Sequence, residues 1–504
     1  MDGLFELGLE KPRKGARDGA RLIHAQLKAA IADGRLPPGL RLPATRQAAA
    51  AFGISRNTAV EVYDRLLHDG YVVGRQGSGT FVADRPPGVG GAAPVGEPSP
   101  PRRLNPFWLR AEVADSIGFW RGEAEEGAAP GPVIDFRPAL VDSRLFPYDV
   151  FRRITGQQLR ALERTPPRYR SAQGNQGNGG LRVAITQHIG VTRAVACRPE
   201  DVIVTSGAQQ AFDILARSLV AAPGAVVAVE DPGYPPMRVA FAAAGARLVP
   251  IPVDAEGLVV DALPHDSQVI CLCPSHQFPL GVSLSPERRA ALLAFDRRRG
   301  AVIVEDDYDG EFRYAGSPLE ALRAGGTDVV FYVGTFSKCM LPALRLGFIV
   351  APAWAKPTLV AAKNSLDWHS STPMQASVAA FIAEGRLTRH VRKMRQIYRR
   401  RRTVLLEGLE RDFRAWLTPI PSFYGMHVAA EARAGVDVEA VARALARRNV
   451  RVHTFSRYYL GPHSRTGLVF GYGVADEDAL RQGLAALREE FVRLGGGYKE
   501  GEGR

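Results

Sequence analysis

The sequence predicts two folds in series: a small N-terminal winged helix-turn-helix and a large C-terminal α/β body. Three observations point there. Residues 85–132 open with "RPPGVGGAAPVGEPSPPRR", dense in Pro, Gly and Ala, and such a stretch buries too little apolar surface to order itself, so it divides the chain as a linker. Before it, helical periodicity gives way to two short β-prone runs. After it, apolar strand-like runs alternate with helical segments, the pattern of a mostly parallel sheet covered by helices. The expected domains are therefore 13–84, a linker over 85–132, and 133–495.

Composition narrows the classes. A chain of 504 residues with 46% apolar and 23% charged residues is globular, since disordered chains carry fewer apolar and more charged groups. No run of about 20 apolar residues suggests a membrane span. The start "MDGLFELGLEKPRKGARDG" lacks a basic, apolar and small-residue succession, so no secretory signal is expected and the cytoplasm is the expected location. The four cysteines, Cys197, Cys271, Cys273 and Cys339, are sparse and show no metal-ligand spacing, so they suggest reduced thiols and no metal. The net charge of +13 suits a polyanionic partner.

In the N-terminal module, Ile23, Leu27, Ala30 and Ile31 recur at helical spacing and Gly34 stops the run. "TRQAAAAFG" predicts a short helix with Thr45 as N-cap, and Gly53 makes the turn. "SRNTAVEVYDRLLHDG" predicts a second helix capped by Ser55, with Ala59, Val62, Tyr63, Leu66 and Leu67 along one stripe. Two short helices about a Gly turn make a helix-turn-helix, whose base-reading residues open the second helix. "YVVGRQGSGTFVA" adds a hairpin wing.

In the body, "YVGTFSKCMLPALRLG" places Lys338 directly after an apolar strand, among small hydroxyl residues. A near-apolar setting lowers a lysine's pKa and suits it to bond an aldehyde; the plainer reading is a snorkelling lysine at a strand end. The surrounding set favours the first, because it meets the needs of pyridoxal 5'-phosphate: a carboxylate for the pyridine nitrogen, a phosphate cup, a ring face and a donor to the phenolate. "VIVEDDYDGEF" puts Asp306 and Tyr308 two apart at a strand's end, facing the same way. "VTSGAQQAFD" is a strand, a tight turn and a helix start that offers free amides to an anion. Thr335 and Arg345 bracket the lysine, and "EDPGYP" sets Tyr234 on a turn.

These motifs carry resemblances. "LPATR", "SRNTAVEVYDRLLHDGY" and "GSGTF" resemble the winged helix of GntR-type regulators, which implies DNA contacts from Arg46, Ser55, Arg56, Asn57 and Thr58, with Gln76, Gly77 and Ser78 from the wing. For Ser55 and Thr58 the bland alternative is helix capping. The body resembles the fold-type-I aminotransferases. That implies Gly207, Ala208, Thr335 and Arg345 at the phosphate, Tyr234 stacked on the ring, Asp306 at the pyridine nitrogen, Tyr308 at the phenolate and Lys338 in the internal aldimine. Tyr169 matches a tyrosine sent to the partner subunit's phosphate. An arginine ahead of a C-terminal strand holds a ligand carboxylate in that fold, and here Arg465 is preferred to Arg457. Aminotransferases carry Asn-Pro-x-Gly where this chain has "FPLG", so Phe278 stands at the Asn place.

Winged helix, linker and complete aminotransferase-like body together resemble the MocR-type regulators, a branch of the GntR superfamily; "HQFP" and "EDDYDGEF" look characteristic of it. The resemblance implies a homodimeric transcription regulator that binds a double-stranded DNA operator and senses pyridoxal phosphate, or an amine or amino acid reacting with it. The alternative is a working aminotransferase with an accessory DNA-binding domain. The basic run 386–405 is expected to be a solvated helix between subdomains, with a DNA-backbone surface as the other reading.

Overall fold

The structure, a computed structural model, describes residues 19–75, 78–84, 104–119, 131–164, 174–316, 319–326 and 328–494. Gln76 and Gly77 of the expected wing, and Tyr169, lie outside the described residues. The chain forms two compact units, Met1–Asn105 and Pro106–Arg504.

In the first unit, α1 (Gly19–Ala32), α2 (Thr45–Phe52) and α3 (Arg56–His68) precede a hairpin of β1 (Val72–Arg75) and β2 (Gly79–Val82). Ile23, Leu27 and Ile31 of α1 share one core with Phe52 of α2 and Val62, Tyr63 and Leu66 of α3, as their helical spacing requires. Gly53, at φ 68°, makes the left-handed turn that ends α2. Ser55 caps α3, its Oγ accepting the Thr58 N–H at 3.1 Å. Two expectations shift. Thr45 is the first helical residue rather than the cap; Ala44 stands at the cap, and its N–H donates to Gln47 Oε1 at 3.2 Å. Leu67 is 39% exposed, because the side chain 100° beyond Leu66 has already turned off the core face.

The second unit begins with α4 (Ala111–Gly118), a helix inside the span expected to be linker, and β3 (Ile134–Asp135). After α5 (Tyr148–Arg164) and α6 (Gly179–Arg193) comes an eight-stranded sheet. Its strands are β4 (Val202–Thr205), β5 (Val226–Asp231), β6 (Arg247–Asp254), β7 (Gly257–Leu258), β8 (Val269–Leu272), β9 (Val302–Asp307), β10 (Val330–Thr335) and β11 (Gly347–Val350). Their spatial order is β4-β11-β10-β9-β8-β5-β6-β7. Strands β6, β5, β8, β9 and β10 run parallel, whereas β11 is antiparallel to both β10 and β4. Helices α7 (Ala208–Leu219), α8 (Pro235–Ala243) and α9 (Pro286–Arg299) connect these strands. Apolar side chains on both faces form separate clusters, which explains why the strands are apolar without alternation.

Helices α10 (Lys356–Asp367), α11 (Thr372–Ala383) and α12 (Arg386–Asp412) lead to a smaller subdomain. It holds β12 (Leu417–Pro419), β13 (His427–Ala432), α13 (Val438–Arg447), β14 (Val450–Arg451), β15 (His453–Thr454), β16 (Gly467–Gly471) and α14 (Glu477–Leu494). An antiparallel sheet of order β12-β13-β16-β15 is its frame, and β14 pairs in parallel with β3. The basic helix α12 is only partly solvated. Arg401 donates to Asp142 (2.9 Å) and to the Gly473 carbonyl (2.7 Å), and Arg402 donates to the Ser422 carbonyl. Arg392, Lys393, Arg399 and Arg400 are exposed. Among the described residues no helix is long and apolar enough to cross a membrane.

Candidate functional site

Parallel strands collect a site at their carboxyl ends, where connecting loops diverge. Here β9 ends at Asp307 and β10 at Thr335, so Asp306, Tyr308, Thr335 and Lys338 arrive on one side of the sheet. They line a cavity of about 590 Å³ together with Ala208, Tyr234, Ser337 and Arg345. Residues that sequence reasoning did not single out complete it: Trp108, Val113, Ser116 and Ile117 from the 106–118 segment, and Ala139 and Leu140. A second hollow of about 640 Å³ between α12 and α14 is lined by residues such as Arg411, Arg488 and Glu489 and contains none of this set.

The Lys338 amine donates to the Ala139 carbonyl at 2.7 Å. Burial lowers its pKa to about 8, against the pull of Asp309 and Asp306, so a useful fraction is uncharged near neutrality. Asp306 is buried, and burial raises its carboxyl to about 7. Its Oδ2 lies 3.8 Å from Cys273 Sγ, while Oδ1 has no hydrogen-bond partner. A buried carboxylate oxygen left without a partner is costly, and here it borders the same cavity as the lysine. The Tyr308 hydroxyl lies 2.8 Å from His276 Nδ1. The Tyr234 ring meets Phe278 edge-on at 5.6 Å.

The anion cup is built locally. Gly207 has φ 81°, a left-handed conformation that favours glycine, and a Cβ there would stand 2.9 Å from Arg345 Nη2 and push the guanidinium aside. Arg345 itself is left-handed (φ 47°) and donates to the Ser206 carbonyl at 3.0 Å. Ala208 is the first residue of α7, whose leading amides are free of helical partners. Thr335 Oγ1 donates to Ser337 Oγ at 3.0 Å, which adds a second hydroxyl that the spacing alone did not single out. These residues fit pyridoxal phosphate: an amine for its aldehyde, an unpartnered carboxylate oxygen for its pyridine N–H, and hydroxyls, amides and a guanidinium for its phosphate.

Arg465 does not line this cavity. Its Nε and Nη2 bind both oxygens of Glu431 (3.0 and 3.1 Å), and Nη1 donates to the Val253 carbonyl. Behind Tyr308 stands a buried cluster, His276, Asp309 and His427, whose nitrogen and oxygen atoms lie within 4.8 Å of one another. In the first unit Arg46, Arg56 and Asn57 are exposed, whereas the Ser55 and Thr58 hydroxyls bond each other at 2.8 Å. Ser78 donates its N–H to the Arg75 carbonyl at 2.9 Å.

The two units match two families: "Bacterial regulatory proteins, gntR family" over residues 20–82, and "Aminotransferase class I and II" over residues 147–471. Among similar proteins, the probable rhizopine catabolism regulatory protein MocR of Rhizobium meliloti is 34% identical over 94% of each chain. The HTH-type pyridoxine biosynthesis transcriptional regulator PdxR of Corynebacterium glutamicum is 32% identical over 93% of this chain and 95% of its own. Among solved structures, Pyrococcus horikoshii kynurenine aminotransferase is 25% identical with a TM-score of 0.67, covering 76% of this chain and 99% of its own. The regulators thus span both units, while the kynurenine aminotransferase spans about three quarters of the chain.

Proposed function

Because this chain belongs to the MocR-type transcription regulators of the GntR superfamily, we propose that its cavity senses an amine and that occupancy changes its grip on an operator. The protein is a DNA-binding transcription regulator with an aminotransferase-like, pyridoxal-phosphate-dependent domain. When bound, pyridoxal phosphate supplies an aldehyde carbon with which primary amines condense. Lys338 holds that group with an amine that burial keeps easy to deprotonate. Asp306 holds the proton of the pyridine nitrogen at its open Oδ1, and Tyr308 gives a hydrogen to the phenolic oxygen. Tyr234 faces the ring. The start of α7 at Gly207 and Ala208, with Thr335 and Arg345, takes the phosphate.

The ligand read is an amine or amino acid, or pyridoxal phosphate itself. Arg465, paired with Glu431 outside the cavity, meets a ligand carboxylate only by leaving that pair and turning inward. The acting species is a cytoplasmic homodimer, in which Tyr169 reaches the partner's phosphate. In the first unit Arg46, Arg56 and Asn57 face base edges and phosphates, with Arg56 suited to a guanine; Ser55, Thr58 and the wing residues Gln76, Gly77 and Ser78 hold the backbone. The division 13–84, 85–132 and 133–495 describes these working parts, with the 106–118 segment belonging to the cavity wall.

One observation carries this reading: the unpartnered Oδ1 of Asp306 borders the same cavity as the Lys338 amine. Ligand control requires unequal affinity for two protein states, so the test couples the two units. Lys338→Ala protein should bind operator DNA but lose the ligand response measured by fluorescence anisotropy. A full response retained by Lys338→Ala would overturn the proposal.

A further inference from the structure

Tyr308 is backed by groups that no role above uses. Its hydroxyl lies 2.8 Å from His276 Nδ1, and that same nitrogen lies 3.0 and 3.2 Å from the two oxygens of Asp309. His276 and Asp309 are 2% and 1% exposed, so water does not compete for these bonds. An imidazole nitrogen does one thing at a time: it carries a hydrogen to give or a lone pair to receive one. If Asp309 is ionised, Nδ1 carries the hydrogen and gives it to the carboxylate. If Asp309 is protonated, it gives its hydrogen to the Nδ1 lone pair. In both states the lone pair of Nδ1 is withheld from the tyrosine.

We propose that Asp309 and His276 are positioning residues for Tyr308: by claiming Nδ1, the Asp309 carboxyl leaves the tyrosine no acceptor behind it and turns its hydrogen into the cavity, toward the phenolic oxygen of pyridoxal phosphate. The cavity needs such a device because Phe278, edge-on to Tyr308 at 5.6 Å, is an apolar ring with no hydrogen to offer. Burial raises Asp309 to about 8 and keeps His276 neutral, its pKa lowered to about 3, so both protonation states of Asp309 lie within reach of neutral pH. The charged and titratable groups facing the trio are Asp306 and Asp307 of β9, Lys338, Glu230 of β5, Cys273, Glu311, His427 of β13 and Arg402 of α12. His276, Asp309 and His427 also have the composition of a metal centre, and His276 Nε2 and His427 Nδ1 have no hydrogen-bond partner, so the test below includes a chelator.

The inference rests on the reading of the cavity as a pyridoxal-phosphate site, and the experiment separates the two. Full-length protein is loaded with pyridoxal phosphate and its visible absorbance is titrated with pH. Absence of a protein-bound absorbance in the wild type defeats the cofactor reading itself. With absorbance present, Asp309→Ala should raise the midpoint by about one pH unit, a tenfold change in the equilibrium, since the phenolic oxygen loses its donor. The direction is diagnostic, because removing a negative charge alone would lower it. Asp309→Asn, which can still engage Nδ1, should stay near wild type. Tyr308→Phe should raise the midpoint, and Asp309→Ala should add nothing on that background. His276→Phe combined with Asp309→Ala should return the midpoint toward wild type, because no acceptor then remains behind the tyrosine. Where Asp309→Ala proves unstable, Asp309→Leu refills the volume and carries the same expectation. A midpoint that is unchanged or lowered in Asp309→Ala overturns the proposal, as does equal raising on the Tyr308→Phe background. A wild-type absorbance that does not titrate between about pH 5 and 10 removes the equilibrium that the relay is argued to set. A wild-type midpoint that moves on treatment with a chelator replaces the relay with a metal centre.

Discussion

The two units present their polar side chains in opposite ways. In the winged helix, Arg46, Arg56 and Asn57 stand exposed. In the body, Asp306, Tyr308 and Asp309 are buried, and burial raises Asp306 to about 7 and Asp309 to about 8. An exposed cation meets a polyanion through screened, pH-insensitive attraction. A buried carboxylate holds a small cofactor through a few desolvated bonds and pays for the burial with a shifted pKa. The difference teaches that salt should act on the first unit and pH on the second.

The largest expected effect lies in the body. Asp306→Asn keeps the shape but removes the charge proposed to face the pyridine nitrogen, so affinity for pyridoxal phosphate should fall about 100-fold, the scale of a lost charge-assisted bond, as read by equilibrium dialysis. An unchanged affinity would break the contrast between the units. Next, Arg56→Ala should weaken operator binding about tenfold and reduce discrimination at one base pair while leaving cofactor affinity alone. A uniform loss across sequences would instead make Arg56 a phosphate contact.

Counted per residue, the smallest effect is on stability. Burial raises Glu230 and Asp309 to about 8, and Glu305 and Asp306 to about 7. A carboxyl whose folded pKa exceeds its unfolded value stabilises below the unfolded value and loses that contribution as pH rises through the folded one. His276 and His427, lowered to about 3, work the other way, but only below their ordinary 6.5. Between pH 6.5 and 8 the cofactor-free body should therefore lose stability, by about 1.4 kcal/mol per pH unit for each carboxyl still protonated in the folded state and ionised in the unfolded one. Lys338, lowered to about 8, begins to oppose the trend above that. Thermal melts should show the body's midpoint falling across this window, with the winged helix unmoved.

Much of the site was legible because its residues sit at strand ends and helix starts. Asp306 lies at the end of β9 with Tyr308 just beyond, Thr335 ends β10 with Lys338 just beyond, and Gly207 precedes α7; local pattern places such residues before any packing is known. The far wall was not legible. Trp108, Val113 and Ile117 lie in a span read as linker; the aromatics of "LNPFWLRAEVADSIGFW" suggest local docking, but nothing in their spacing points at the cavity. His276 was visible within "HQFP", but its partner Asp309 comes from 33 residues downstream.

The sequence by itself determined the order of elements, the faces they bury and the residue types delivered to the sheet's carboxyl edge, because periodicity and turn chemistry are local. Only the tertiary structure decided what those residues touch. It set the Lys338 amine on a carbonyl 199 residues away, tied Arg465 to Glu431 rather than the cavity, and left one oxygen of Asp306 open. The physical reason is that a polar side chain's partner is chosen by desolvation and close packing among distant segments, and those forces leave no period in the chain.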